Sequence, residues 1–403
     1  MLTGSLDASG SQRHLTAKAI FLCFLLGTLA LFACESSTSS AAEDVKVSLY
    51  ERYADYFPVG AAVDSGSYKD AHVPLLTRHF NSIVCENEMK WESLQPTEDA
   101  FDYATADRIV AFAESNDMAV RGHCLVWHNQ TPSWVFSGQS EAPVTKEVLI
   151  QRMKNHITNV VTHFEGKVGH WDVVNEAIAG NKENGEDAGE DLSQVHSWGY
   201  RNSDWYKICG EDYILEAFRA ARAADPQAKL FYNDYWNYLD GKREAIVSMI
   251  EKLQREDLVD GVGLQCHLNI EPAQEKLANQ TVYQTVENLE EEIKAYAALG
   301  LEVQITELDI SMYTRDYSSS DESKWYRTEA DLTDALKDKQ AARYKEFFDM
   351  FRRNSDLITS VTFWGIADDN TWLSEFDSGR PDYPLLFDRE LEPKKAFYSV
   401  TDF

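Results

Sequence analysis

Short apolar runs alternate with longer amphipathic stretches along most of this 403-residue chain, and that alternation most restricts what it can fold into. An apolar run of four to eight residues reads as a buried strand, whereas apolar residues returning every three or four positions read as one helix face. Strand candidates fall near Val59–Val63, Ser82–Cys85, Ala119–Leu125, Gly169–Val174, Lys229–Tyr232, Gly261–His267, Glu302–Thr306 and Ser360–Trp364. Helical stripes lie between them: Ile109, Phe112 and Ala113; Val148, Met153, His156, Ile157, Val160 and Val161; Ile214, Ala217, Phe218 and Ala221; Ile246, Met249, Ile250 and Leu253; Tyr344, Phe347, Phe348 and Phe351. Strands joined by crossover helices predict a parallel sheet, and eight such units predict an α/β fold, the (β/α)8 TIM barrel. A doubly wound sheet would want a glycine-rich phosphate loop opening a helix. The chain offers only Gly261-Val262-Gly263, inside a strand. No Pro/Gly/Ser-rich linker interrupts residues 48–403, which therefore read as one domain.

The first 47 residues do not follow the alternation. Arg13 and Lys18 precede an apolar run from Ala19 to Ala33, too short for a comfortable membrane span. This is the pattern of a signal peptide over residues 1–33. Leu31-Phe32-Ala33-Cys34 resembles a bacterial lipobox, so cleavage before Cys34 would leave a lipidated first residue on a flexible tether, 34–47. The expectation is an exported protein anchored through Cys34, with simple secretion as the alternative. Cys85, Cys124, Cys209 and Cys266 follow no zinc spacing, and their pairing is not deducible from sequence.

Charge narrows the partners. Lys and Arg total 38 against 67 Asp and Glu, a formal charge of −29. Such a surface does not displace counterions from nucleic acid, nor adhere to an anionic membrane face; the only membrane contact expected is the lipid. The chain is expected as a monomer.

Polar residues gather where the strands end, the face on which barrel enzymes place their chemistry. The second strand runs into Glu86-Asn87-Glu88-Met89-Lys90, the third into Trp127-His128-Asn129-Gln130, and the fourth into Asn175-Glu176. The fifth ends Asn233-Asp234-Tyr235, the sixth Gln265-Cys266-His267, the seventh Glu307-Leu308-Asp309, and the eighth Phe363-Trp364. The period of two puts Asp172, Val174 and Glu176 on one face, likewise Ile305, Glu307 and Asp309, Gln265 with His267, and His123 with Leu125 and Trp127. Two carboxylates at a barrel mouth, with amides, His and Trp around them, suit glycoside hydrolysis: one carboxyl donates a proton to the leaving oxygen, the other attacks the anomeric carbon or activates water. H-E-x-x-H, G-x-S-x-G and the phosphate loop are absent, and the histidines from His72 to His163 make no metal spacing. No cofactor or metal is expected.

Four motifs, WDVVNEAI (Trp171–Ile178), ITELDI (Ile305–Ile310), RGHCLVWHNQTPSW (Arg121–Trp134) and ENEMKWE (Glu86–Glu92), resemble glycoside hydrolase family 10 endo-β-1,4-xylanases, and the likeness runs from Phe57 to Tyr398. The resemblance implies retaining hydrolysis of β-1,4-xylan, with Glu176 as acid/base and Glu307 as nucleophile. It implies that Asn175 holds a sugar 2-hydroxyl, that His267, oriented by Asp309, contacts Glu307, and that His123 and Asp172 form a matching network behind Glu176. Glu86, Asn87 and Lys90 would bind glycone hydroxyls with Trp127 and Gln130 beside them, and Gln265 would face the same cleft. Trp364 and Trp372 would wall the subsites at the cleavage point, while Asn233 and Tyr235 line the leaving-group side. Trp91 and Trp134 read as core. Cys124 and Asn129 depart from the pattern without touching the chemistry. The long acidic loop from Asn181 to Gly199 reads as a solvated insertion, or as an extended leaving-group wall. Alternatives are a related barrel cellulase or mixed-linkage glucanase, and a surface glycan-binding lipoprotein without catalysis.

Overall fold

The computed structural model describes residues 47–138, 144–189, 191–272, 274–276, 281–314, 322–376 and 379–403. The signal peptide, Cys34 and the tether to residue 46 lie outside the described residues. Eight strands form a closed parallel barrel: β1 (Val59–Val63), β2 (Ser82–Cys85), β3 (Ala119–Val126), β4 (His170–Asn175), β5 (Lys229–Asp234), β6 (Gly261–Leu264), β7 (Glu302–Ser311) and β8 (Ile358–Phe363). Each pairs with its sequence neighbour, and β8 closes onto β1 through Val59–Val361, so the ring has no free edge to protect. Among the described residues the eight longest helices run in chain order: α1 (Val73–His79), α2 (Ala104–Ser115), α3 (Lys146–His163), α4 (Asp212–Ala224), α5 (Asp240–Gln254), α6 (Val286–Ala297), α7 (Asp334–Arg353) and α8 (Lys395–Thr401). Helix starts follow capping chemistry: Thr145, Thr285 and Thr333 accept from the backbone N–H groups of Val148, Asn288 and Leu336 at the starts of α3, α6 and α7.

The helical stripes are buried as expected on α4, α5 and α7. On α3 one member fails. Val148 is 44% exposed and Leu149 takes the inward place at full burial, because the first turn is too short for the stripe's phase to be read from sequence.

Two strands differ from expectation. β6 stops at Leu264, since Cys266 adopts φ +59°, a left-handed conformation incompatible with a continuing strand. The chain resumes at His267–Asn269, which pairs with Asp309–Ser311 and thereby draws β7 five residues beyond its expected end. β7 also slips register against β8 between Ile305 and Leu308. Gln304 and Thr306 both reach into the barrel, bonding Arg121 and Asn233, so strict alternation would turn Glu307 away. The slip turns it in. The expected shared face of Ile305 and Glu307 is therefore incorrect, and a bulge is the reason.

The interior holds a polar spoke that the strand pattern did not announce. Arg121 on β3 clasps the Asp172 carboxylate on β4 through Nε and Nη2, and its Nη1 donates to Gln304 Oε1 on β7 at 2.6 Å. Its guanidinium lies 4.7 Å over the Phe231 ring of β5. Trp91 is core, as expected, stacked on His156 with centroids 3.8 Å apart. Cys85, Cys124, Cys209 and Cys266 are all free thiols, the first three buried.

The acidic loop is a folded unit. Ile178–Asn181 pairs antiparallel with Ser197–Tyr200, and Ala188, Leu192 and Val195 bury themselves against Tyr238 and Leu239 after β5. Glu183, Glu186 and Asp191 face solvent. The insertion is thus solvated on one side and packed on the loop after β5 on the other.

Candidate active site

The strand ends open into a cleft of about 560 Å³ that contains Glu176 and Glu307 together with Glu86, Lys90, Trp127, Gln265, His267 and both Trp364 and Trp372.

Glu176 follows β4 with φ +57°, a conformation that costs a non-glycine residue roughly 1 kcal/mol or more. The turn has a use. With a register shift between Asp172 and Val174, it brings the consecutive side chains of Asn175 and Glu176 into one cleft, where period two would separate them. Trp127 Nε1 donates to Glu176 Oε2 at 2.9 Å, and Gln265 Nε2 and Asn175 Nδ2 donate to Oε1 at 3.0 and 3.3 Å. Arg201 Nε donates to the Glu176 carbonyl at 2.8 Å, and its Nη2 to the Tyr235 hydroxyl at 2.9 Å.

Glu307 sits at 5% exposure on β7. Asn233 Nδ2 donates to its Oε1 at 2.7 Å and to Asn175 Oδ1 at 3.0 Å, so one amide ties the two carboxylate strands together. Asn233 is fully buried behind Glu307 and Asn175 and does not line the cleft, which corrects the expectation that it lines the leaving-group side. Gly263 makes the room: a Cβ there would fall 2.2 Å from Asn233 Oδ1, which explains the second glycine of the Gly261-Val262-Gly263 run. Tyr235 does line the cleft.

His267 Nε2 lies 3.2 Å from Glu307 Oε2, and Nδ1 lies 2.9 Å from Asp309 Oδ2. Burial disfavours the imidazolium, yet Asp309 and Glu307 outweigh it and raise His267 to about 10. Both ring nitrogens therefore donate at neutral pH. Trp372 Nε1 also donates to Asp309 Oδ2, at 2.8 Å, a role not foreseen for it.

His123 Nδ1 pairs with Asp172 Oδ2 at 2.9 Å, as expected. Burial opposes ionisation of Asp172, but Arg121 and His123 hold its carboxyl below the usual range. The groups that bond Glu176 directly are instead Trp127, Gln265 and Asn175. Trp364 stands edge-on to His123 with centroids 5.3 Å apart.

A third cluster occupies the ends of β2 and β3. Lys90 Nζ donates to Gln130 Oε1 at 2.7 Å and Asn87 Oδ1 at 3.1 Å, lies 4.9 Å over the Trp127 ring, and Gln130 Nε2 donates to Asn87 Oδ1. Glu86 lines the cleft beside them.

For Glu176, burial raises the carboxyl, but the charges of His128 and Arg201 and the bonds from Gln265 and Trp127 pull it below the usual value. His128 is itself pushed down to about 4 by burial and by Arg201, so above that pH its charge is gone. With that charge gone, Arg201 and the two hydrogen bonds are left to oppose the burial. Arg121, His128 and Arg201 had no role assigned from sequence. Arg121 carried a signal, being a charge in an apolar strand two residues from His123. Arg201 had none, since the long insertion separates it from the β4 motif whose cleft it joins.

A parallel barrel whose mouth carries one buried and one half-buried carboxylate, amides spanning them and tryptophans beside them is the equipment of a glycoside hydrolase. The chain belongs to glycosyl hydrolase family 10, whose profile matches residues 48–403. It is 43% identical over 359 residues to a β-1,4-xylanase of Dictyoglomus thermophilum, covering 88% of this chain and 91% of that protein. Some curated relatives are longer, and the chain spans only 30% and 31% of two of them. Among solved structures it is similar to xylanase B of Clostridium stercorarium F9, with TM-score 0.77, 39% identity, and coverage of 88% and 99%. A mutant solved in complex with xylotriose gives TM-score 0.74 at 40% identity, covering 89% of this chain and 100% of that one.

Proposed function

We propose that this chain is an endo-β-1,4-xylanase that cleaves with retention, Glu307 serving as nucleophile and Glu176 as acid and then base. The observation that carries the reading is the unequal setting of the two carboxylates. Glu307 accepts from the Asn233 amide at 2.7 Å and lies 3.2 Å from Nε2 of His267, the ring raised to about 10. Glu176 accepts only neutral donors, from Trp127, Gln265 and Asn175. In the first step a Glu307 oxygen bonds the anomeric carbon, the glycosidic C–O bond breaks, and the Glu176 proton goes to the leaving oxygen. In the second, Glu176 takes a proton from water, the water oxygen bonds the anomeric carbon, and the ester to Glu307 breaks. Bound sugar strips water from Glu176, strengthening the burial that favours its protonated form while Glu307 is still anionic. Esterifying Glu307 removes that anion and lets Glu176 ionise as a base.

Lys90, Asn87, Gln130 and Glu86 offer donors and acceptors for glycone hydroxyls, Trp127, Trp364 and Trp372 offer faces for sugar rings, and the relatives' names support xylan. The second reading, a cellulase or mixed-linkage glucanase, uses the same carboxylates. Hydrolysis of xylan and carboxymethylcellulose separates them: xylan is expected to be turned over far faster, and a preference for the cellulosic substrate overturns the assignment. We further propose export and lipid anchoring at Cys34, from the apolar run and the residues before Cys34. Intact-mass measurement of the mature protein should give a diacyl-modified Cys34 as first residue; an unmodified start further along the chain rejects the anchor.

A further inference from the structure

The cavity that holds Glu176 and Glu307 continues between the loop after β5 and helix α6, where Asn237, Leu289 and Glu292 line it. The retaining mechanism makes no use of this annex. Asn237 is 2% exposed, and neither its Oδ1 nor its Nδ2 has a hydrogen-bond partner. Leaving a buried polar group unmet costs about 1–3 kcal/mol, so an amide with both ends unmet calls for a ligand. Glu292, 1% exposed, reaches the same space. Burial pushes its carboxyl well above the usual carboxylate range, against the opposing pull of Arg243 and Lys242, which favours the protonated form with its O–H donor.

One unmet donor, one unmet acceptor and a neutral acid suit hydroxyl groups, which both give and accept. They do not suit an anion. Of the two cations that act on Glu292, Lys242 is already bound to Asp234 at 2.7 Å and Arg243 to Asp240, so neither is left to balance an added carboxylate beside Asp234. The annex opens beside Tyr235, the side that the family resemblance gives to the leaving group. We propose that it is a side subsite for a neutral, hydroxyl-bearing branch on a sugar in the leaving-group half of the cleft. This rests on the xylanase reading and names a class of decorated substrate for it.

The test compares kcat/KM for linear xylohexaose with that for xylo-oligosaccharides bearing one arabinofuranosyl or one methylglucuronosyl branch on the leaving-group side. The variants are Asn237→Leu, close in shape, and Glu292→Gln, which keeps the fold if the first does not. The arabinosyl substrate is expected to lose about tenfold through KM, the size of one or two lost hydrogen bonds. The linear and uronosyl substrates are expected to stay within about twofold. If linear and arabinosyl substrates fall together, or neither variant affects the arabinosyl one, the annex holds only solvent and the proposal is overturned. An equal loss on the uronosyl substrate overturns the preference for a neutral branch. If the unaltered protein cleaves none of the linear substrate, it is the xylanase reading that fails.

Discussion

Glu307→Gln lowers xylan turnover by at least ~10⁴-fold while the barrel keeps its fold, because an amide cannot form the glycosyl ester that divides the reaction in two. Glu176→Ala behaves differently, and the difference separates the two roles. Removing the proton donor costs roughly 10²–10⁴-fold on xylan, whose leaving alcohol is poor. On an aryl xylobioside with an acidic phenol the first step needs no proton, so a burst of phenol is expected before slow turnover. Glu307→Gln gives no burst on the aryl xylobioside. Rapid-quench measurement of phenol release reads both outcomes, with circular dichroism as the check on folding. A burst from Glu307→Gln, or none from Glu176→Ala, reverses or removes the assignments.

The largest expected effect on stability comes from Arg121→Met. Arg121 is 6% exposed and Asp172 1%, and the substitution leaves a buried carboxylate with only His123 for company. Breaking a buried pair from one side costs about 3–5 kcal/mol, whereas replacing both partners costs much less. Thermal unfolding should therefore show a large fall in Tm for Arg121→Met and partial recovery on adding Asp172→Asn. Additive losses in the double variant would mean that the pair is not the cause. Activity should fall in parallel, since the same guanidinium joins β4, which carries Glu176, to β7, which carries Glu307.

Most of the barrel was legible because its strands obey one period and its helices another. Legibility failed wherever a single backbone conformation decided the outcome. Nothing in the letters Gln265-Cys266-His267 announces that Cys266 takes a positive φ, so β6 was drawn through its own break. The slip between Ile305 and Leu308 leaves no compositional trace either, yet it is what turns Glu307 inward. Site residues were readable as a set, since chemistry-bearing side chains at strand ends converge on one cleft. Their partners were not. Asn233, expected on a cleft wall, is buried behind Glu307 instead, because the space for its amide is supplied by the missing side chain of Gly263. Trp372, expected as a wall of the sugar subsites, also fixes Asp309 through its indole N–H. Such roles depend on which atoms meet across strands far apart in sequence, and periodicity within a strand carries no information about them.

The four thiols in the described residues bear on where the protein can work. Cys85, Cys124 and Cys209 are buried and unpaired, and Cys266 is unpaired at the cleft. The barrel is closed by hydrogen bonds and packing alone, so no covalent cross-link has to form before the two carboxylates come into place. Among the described residues there is no cross-link to reduce, so reductants should leave both the thermal midpoint and the turnover unchanged; a fall in either would show that a disulfide holds the active form.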